Sequence, residues 1–195
     1  MSASTGDELR TELPTADATR AFGAWLATVL RPGDVVVLTG GLGAGKTTLT
    51  QGIGTGLGVR GAVTSPTYVI SRVHPSVVGG PALVHVDAYR LGGAAELDDL
   101  DLDESVEQAV TVVEWGEGLA EGLADSWLEV RLERWADGGA AALAAGPRRH
   151  GPRRHGPRRH EPQTSARTHP PESRVASVRP HGPRWVGAPL RSLLA

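Results

Sequence analysis

The sequence predicts an α/β fold: one domain with a mixed β-sheet flanked by helices, followed by a disordered Arg/Pro-rich C-terminal tail. Three observations carry this prediction. Gly40-Gly41-Leu42-Gly43-Ala44-Gly45-Lys46-Thr47 completes the pattern G-x-x-x-x-G-K-[ST]. That word stands between a short β-branched run and a stretch of helical period, so strand, glycine loop and helix come in the order a phosphate-binding loop needs. The charge then splits the chain: residues 1–145 carry nine Lys+Arg against twenty Asp+Glu, a net of −11, whereas residues 146–195 carry eleven Arg against two Glu, a net of +9.

Along the chain, Leu9 to Leu13 reads as a leading edge strand. Apolar residues at Ala18, Phe22, Trp25, Leu26, Val29 and Leu30 follow a helical spacing, with Thr15 as N-cap after Pro14. Pro32-Gly33 introduces Asp34–Thr39, a β-branched run of the kind buried on both faces of a sheet. After the glycine word, Leu49, Ile53 and Leu57 mark a helix ending near Gly58. Thr67–Val73 and Pro81–Asp87 read as two strands of a hairpin whose loop holds Gly79-Gly80. Val110–Glu114 is another buried-type strand, and Trp127–Glu133 alternates as a half-exposed one. The expected unit is a P-loop NTPase-like domain over residues 1–135, with residues 136–195 as the tail.

The chemistry follows from the loop. Glycines let the backbone fold around phosphates, with its N–H groups and the helix N-terminus directed at the anion. Lys46 is the one lysine in a chain that otherwise uses Arg. A compact ammonium on a thin stem reaches between β- and γ-phosphates where a planar guanidinium does not fit. The Thr47 hydroxyl is the expected ligand for Mg²⁺, which prefers oxygen donors. Two apolar strands end in carboxylates, Asp87 and Glu114, where open α/β sheets place their ligands. One such group can hold the metal and the other can orient the attacking water; the alternative for each is a polar residue opening a turn. His85 alternates with Asp87 and reads equally as a structural histidine. Thr67, in Ser65-Pro66-Thr67-Tyr68, lies where a hydroxyl can close on the metal as in nucleotide switches, or where Pro66 fixes a plain loop.

The tail opens with Gly146-Pro147-Arg148-Arg149-His150, present in three copies through His160. Proline at that spacing excludes ladders, and adjacent arginines repel. Such a tract either binds RNA phosphates non-specifically or is a low-complexity extension without a specific role. The chain has no cysteine, which excludes disulfides and thiolate metal sites. No apolar run has membrane-spanning length, and the first residues lack a signal-peptide pattern, so a soluble cytoplasmic protein is expected.

A set of words then gives a resemblance: Gly43-Ala44-Gly45-Lys46-Thr47-Thr48, Ser65-Pro66-Thr67-Tyr68, His85-Val86-Asp87-Ala88-Tyr89-Arg90, the acidic stretch Glu96 to Glu104, and Val113-Glu114-Trp115. In this order and spacing, over roughly residues 8–135, the sequence resembles the TsaE (YjeE) family, the P-loop ATPases of bacterial tRNA threonylcarbamoyladenosine synthesis. The resemblance implies Mg-ATP bound by Gly41, Leu42, Gly43, Ala44, Gly45, Lys46, Thr47 and Thr48. It implies Mg²⁺ held by Thr47 and Glu114, Asp87 as the Walker-B-like carboxylate, and Thr67 in a switch-like loop. Its implied partners are TsaD and TsaB, which act on tRNA, and the ATPase drives or resets that transferase. The chain departs from the family at Gly41, where Asp is usual, and in its basic tail. A small-molecule kinase and a nucleotide-gated binding module without appreciable turnover stay open; Arg60, Arg72 and Arg90 are thin material for a kinase lid. The acidic run Asp98 to Glu104 reads as a solvated surface or as a dock for a basic partner.

Overall fold

A computed structural model of the chain describes residues 8–66, 70–91, 107–118, 123–135 and 172–190. Their strands form one seven-stranded sheet. In chain order the elements are β1 (Leu9–Leu13), α1 (Ala16–Ala27), β2 (Val35–Thr39), α2 (Lys46–Leu57), β3 (Ser71–His74), β4 (Ala82–Asp87), β5 (Ala109–Glu114), β6 (Trp127–Arg134) and β7 (Arg174–His181). The strand order is β1-β7-β6-β2-β5-β4-β3. The four central strands β6, β2, β5 and β4 are parallel. β7 runs antiparallel to both β6 and β1, and β3 antiparallel to β4.

The β-branched run after Pro32-Gly33 forms β2, and every one of its residues is buried. Pleating sends Val36 and Leu38 to one core and Val35 and Val37 to the other. The first core lies under both helices, where Phe22, Leu26, Leu49 and Ile53 join Val110, Val112, Leu128 and Val130. Thr15 caps α1 by accepting the Ala18 N–H at 3.0 Å, and Gly58 ends α2 at φ 64°. The helices cross in direct backbone contact: a Cβ at Gly23 would stand 2.3 Å from Leu49 O, and one at Gly52 would stand 2.2 Å from Arg20 O. β1 is an edge strand, as expected. The hairpin forms with its first strand starting at Ser71, while residues 67–69 lie outside the described residues.

The expected domain boundary is corrected. Residues 172–190, assigned to the tail by composition, belong to the fold, since β7 fills the place between β6 and β1. Val175, Ala176, Val178, Trp185 and Leu190 are buried. Arg184 reaches back to the turn before β2, where its Nε and Nη2 donate to the two carboxylate oxygens of Asp34 at 3.0 and 2.9 Å. A two-point guanidinium–carboxylate contact of this kind fixes orientation as well as charge. The three Gly-Pro-Arg-Arg-His copies and the acidic run Glu96 to Glu104 lie outside the described residues.

Candidate functional site

β2 ends against the glycine loop, and α2 begins at Lys46. Gly43 at φ 71° and Gly45 at φ 105° take left-handed backbone that a side chain would strain. Gly45 caps α2 without a side-chain acceptor, which leaves the first-turn N–H groups directed at whatever anion occupies the loop. Lys46 is buried against the sheet edge. Its Nζ donates to Gly40 O at 2.8 Å and Gly41 O at 3.1 Å and lies 3.5 Å over the Trp115 ring. Burial pushes its ammonium pKa down, against the opposing pull of Glu114 and Asp87.

The two strand-end carboxylates meet the loop together because β4 and β5 are parallel and in register, with Asp87 opposite Glu114. Glu114 is buried, and its Oε2 accepts the Thr47 hydroxyl at 3.1 Å. Its Oε1 contacts His85 Nε2 at 2.8 Å, with His85 wholly buried. His85 thereby fixes which oxygen of Glu114 faces Thr47. Asp87 Oδ2 accepts the Ser65 hydroxyl at 3.0 Å, and its Oδ1 accepts the Tyr89 N–H at 3.1 Å. Thr47, Ser65, Asp87 and Glu114 line a cleft of about 340 Å³ with Lys46, Trp115 and Arg174. A hydroxyl and carboxylates facing a phosphate loop are hard oxygen donors, the set that suits a small divalent cation completed by phosphate oxygens and water.

Most expected residues therefore converge on one cleft: Gly43, Gly45, Lys46, Thr47, Thr48, Asp87 and Glu114, with Leu42 at its rim. Leu42 is exposed at the loop tip, while Ala44 is buried in the core under the loop. Gly41 is unobstructed, for a Cβ there meets nothing within 4 Å; the missing family carboxylate is not a matter of space. Thr67 lies outside the described residues. Its flanks are described: Ser65 sits on Asp87, and Ile70, a β-branched residue at φ 69°, accepts the Asp87 N–H through its carbonyl at 2.8 Å.

Trp115, Tyr89 and His85 stood in the sequence words without a settled role, and Arg174 was not singled out at all. Trp115 stacks over Lys46 at φ 62°, and Tyr89 packs on it with ring centroids 5.1 Å apart. His85 has a defined partner in Glu114, which its alternation with Asp87 hinted at without deciding. Arg174 comes from β7, in a stretch whose Pro/Arg composition gave no sign of a strand.

A strand, a glycine-rich turn, a lysine-bearing helix start and two in-register carboxylates define a phosphate-loop α/β domain. The family model for "Threonylcarbamoyl adenosine biosynthesis protein TsaE" matches residues 13–140, and the chain belongs to that family, which takes part in tRNA threonylcarbamoyladenosine biosynthesis. The chain is 64% identical over 116 residues to the TsaE of Streptomyces coelicolor, covering 59% of this chain and 78% of that protein. It is 54% identical over 129 residues to the TsaE of Mycobacterium tuberculosis H37Rv, covering 63% and 77%. The crystal structure of Bacillus subtilis YdiB superposes with a TM-score of 0.64 at 26% identity, over 98% of this chain and 97% of that one.

Proposed function

We propose that this chain is the Mg-dependent ATPase of the tRNA N6-threonylcarbamoyladenosine machinery, hydrolysing ATP to drive or reset a TsaD–TsaB transferase in the cytoplasm. The observation that carries the reading is the Thr47 hydroxyl resting on Glu114 at 3.1 Å, at the mouth of the loop that holds Lys46. In this reading the loop from Gly41 to Thr48 wraps the phosphates and Lys46 bridges the β- and γ-groups. Thr47 and Glu114 would hold Mg²⁺, which when bound neutralises the phosphate oxygens and polarises the transferring group. Asp87 orients the attacking water and takes its proton; the water oxygen bonds to the γ-phosphorus as the bond to the β–γ bridging oxygen breaks, giving ADP and phosphate. His85 keeps Glu114 aimed. Thr67 supplies the hydroxyl of the switch-like loop beside Ser65. Direct contact with tRNA falls to the basic tract from residue 146.

The test is Mg-dependent ATP hydrolysis by the full chain, alone and with TsaD and TsaB. Stimulation by the pair is expected, abolished by Lys46→Ala. Glu114→Gln, which keeps an acceptor for Thr47, should hold ATP affinity within about threefold while lowering turnover by about 100-fold or more. Wild-type turnover in Glu114→Gln would remove Glu114 from the site. Phosphate delivered to a small acceptor without any partner effect would instead support the kinase reading.

A further inference from the structure

The phosphate loop is braced from the flank opposite its carboxylates by the first residue of β7. Arg174 Nε donates to Ala44 O at 2.9 Å, and its Nη1 donates to Glu172 O. The guanidinium lies so close to Gly45 that a Cβ there would stand 2.9 Å from Nε. Directly opposite on β6 is Arg134, whose Nη2 would stand 2.8 Å from a Cβ at Gly43. Like charges facing each other across an antiparallel pair are destabilising, and among the described residues neither guanidinium is paired with a carboxylate. Arg174 nonetheless lines the same cleft as Lys46, Thr47 and Thr48. Two cations crowded against a loop of inward N–H groups are the environment of an anion.

The sheet order says which part of that anion. Asp87 and Glu114 stand on β4 and β5, on one side of β2, whereas Arg174 stands on β7, beyond β6 on the other. If the carboxylates serve the terminal phosphate and its water, the rest of the phosphate chain runs toward β6 and β7. We infer that Arg174 is a nucleotide-binding residue, its guanidinium donating to the nucleoside-proximal phosphate that ADP and ATP share. The inference rests on the nucleotide-binding reading above and adds to it a residue from a part of the chain that composition assigns to a tail. Lys46 and Arg174 then divide the work, the lysine on the terminal groups and the arginine on the proximal one.

The test is the equilibrium affinity of the full chain for ADP and for ATP, in wild type, Arg174→Gln and Arg174→Lys. Glutamine retains a donor for Ala44 O and loses the charge; lysine retains the charge. Removing a charge-assisted hydrogen bond to the phosphate weakens binding by about tenfold or more, so Arg174→Gln should weaken ADP and ATP alike by that factor, with their ratio unchanged. Arg174→Lys should stay within about threefold of wild type, because it keeps the attraction to phosphate. Wild-type ADP affinity in Arg174→Gln, or a weakening confined to ATP, overturns the assignment. Arg174→Lys weakened about tenfold or more for both nucleotides also overturns it and leaves a loop brace; that outcome is read against wild type, so it stands even if the glutamine variant does not fold. Failure of the wild type to bind either nucleotide would sink the nucleotide-binding reading itself, a different outcome from either.

Discussion

Trp115 occupies a backbone conformation, φ 62°, that costs a bulky L-residue about 1–2 kcal/mol. What the position gains is the ring over Lys46 Nζ at 3.5 Å. Cation–π attraction, together with the carbonyls of Gly40 and Gly41, satisfies the ammonium. Lys46 must leave these partners to reach a phosphate, so they oppose nucleotide binding. Cation–π contacts amount to about 0.5 kcal/mol at exposed sites and rise to about 2 kcal/mol when desolvated. Trp115→Leu keeps the left-handed backbone strain and removes the ring; it should tighten ADP binding by about 2–30-fold. Weaker affinity in a titration of that variant would show that the ring serves the bound nucleotide, and unchanged affinity that it does not oppose binding. Lys46, Thr47, Asp87 and Glu114 were legible in the sequence because each belongs to a local word. The roles of Trp115 and His85 depend on a partner from another element, which spacing along the chain does not encode.

Among the elements, β2, α2, β4 and β5 were legible because buried parallel strands are continuous apolar runs and the helix carries its own period. β7 was not. Its Val175, Ala176, Ser177 and Val178 are all buried, so no alternation marks it, and Pro180 stands inside the strand opposite Leu128. Proline in a strand argues against one, but β1 pairs only with Arg174 to Val178, so Pro180 is paired on the β6 side alone. β3 contributes a buried titratable group, His74, at the register position opposite Leu83. Burial lowers its pKa below the usual 6.5, and the neighbouring His85 and Arg72 push the same way, against a backbone hydrogen bond at Arg60. In the unfolded chain the imidazole titrates near its ordinary value, about 6.5. Between that value and the lower folded one, the unfolded state binds the extra proton, so stability is intact above about pH 6.5 and falls as pH drops through this window. Thermal unfolding of wild type and His74→Asn between pH 8 and pH 5 should give a shallower acid limb in the variant. Parallel limbs would mean that His74 contributes nothing to the pH dependence.

For the whole molecule, the site is closed by two distant parts of the chain. β6 ends at Arg134 and β7 starts opposite it at Arg174; beyond them the Trp135 N–H donates to Ser173 O at 2.9 Å. The two chain ends at residues 135 and 172 are thus neighbours, within reach of a short hairpin loop. Replacing residues 136–171 with four Gly/Asn residues should leave a cooperatively folded protein with the nucleotide affinity of the full chain, since none of the described core or site lies in that stretch. Stopping the chain after residue 171 should do the opposite. It removes the strand between β6 and β1, the Arg184–Asp34 clamp, and the burial of Val175, Val178, Trp185 and Leu190. At about 1.5–3 kcal/mol for each large apolar side chain, those four alone approach the roughly 5–15 kcal/mol that holds an ordinary domain together. Circular dichroism melts of the two variants decide it. A sharp transition in the truncated chain would mean that the remaining strands fold cooperatively without β7 and the Arg184–Asp34 clamp.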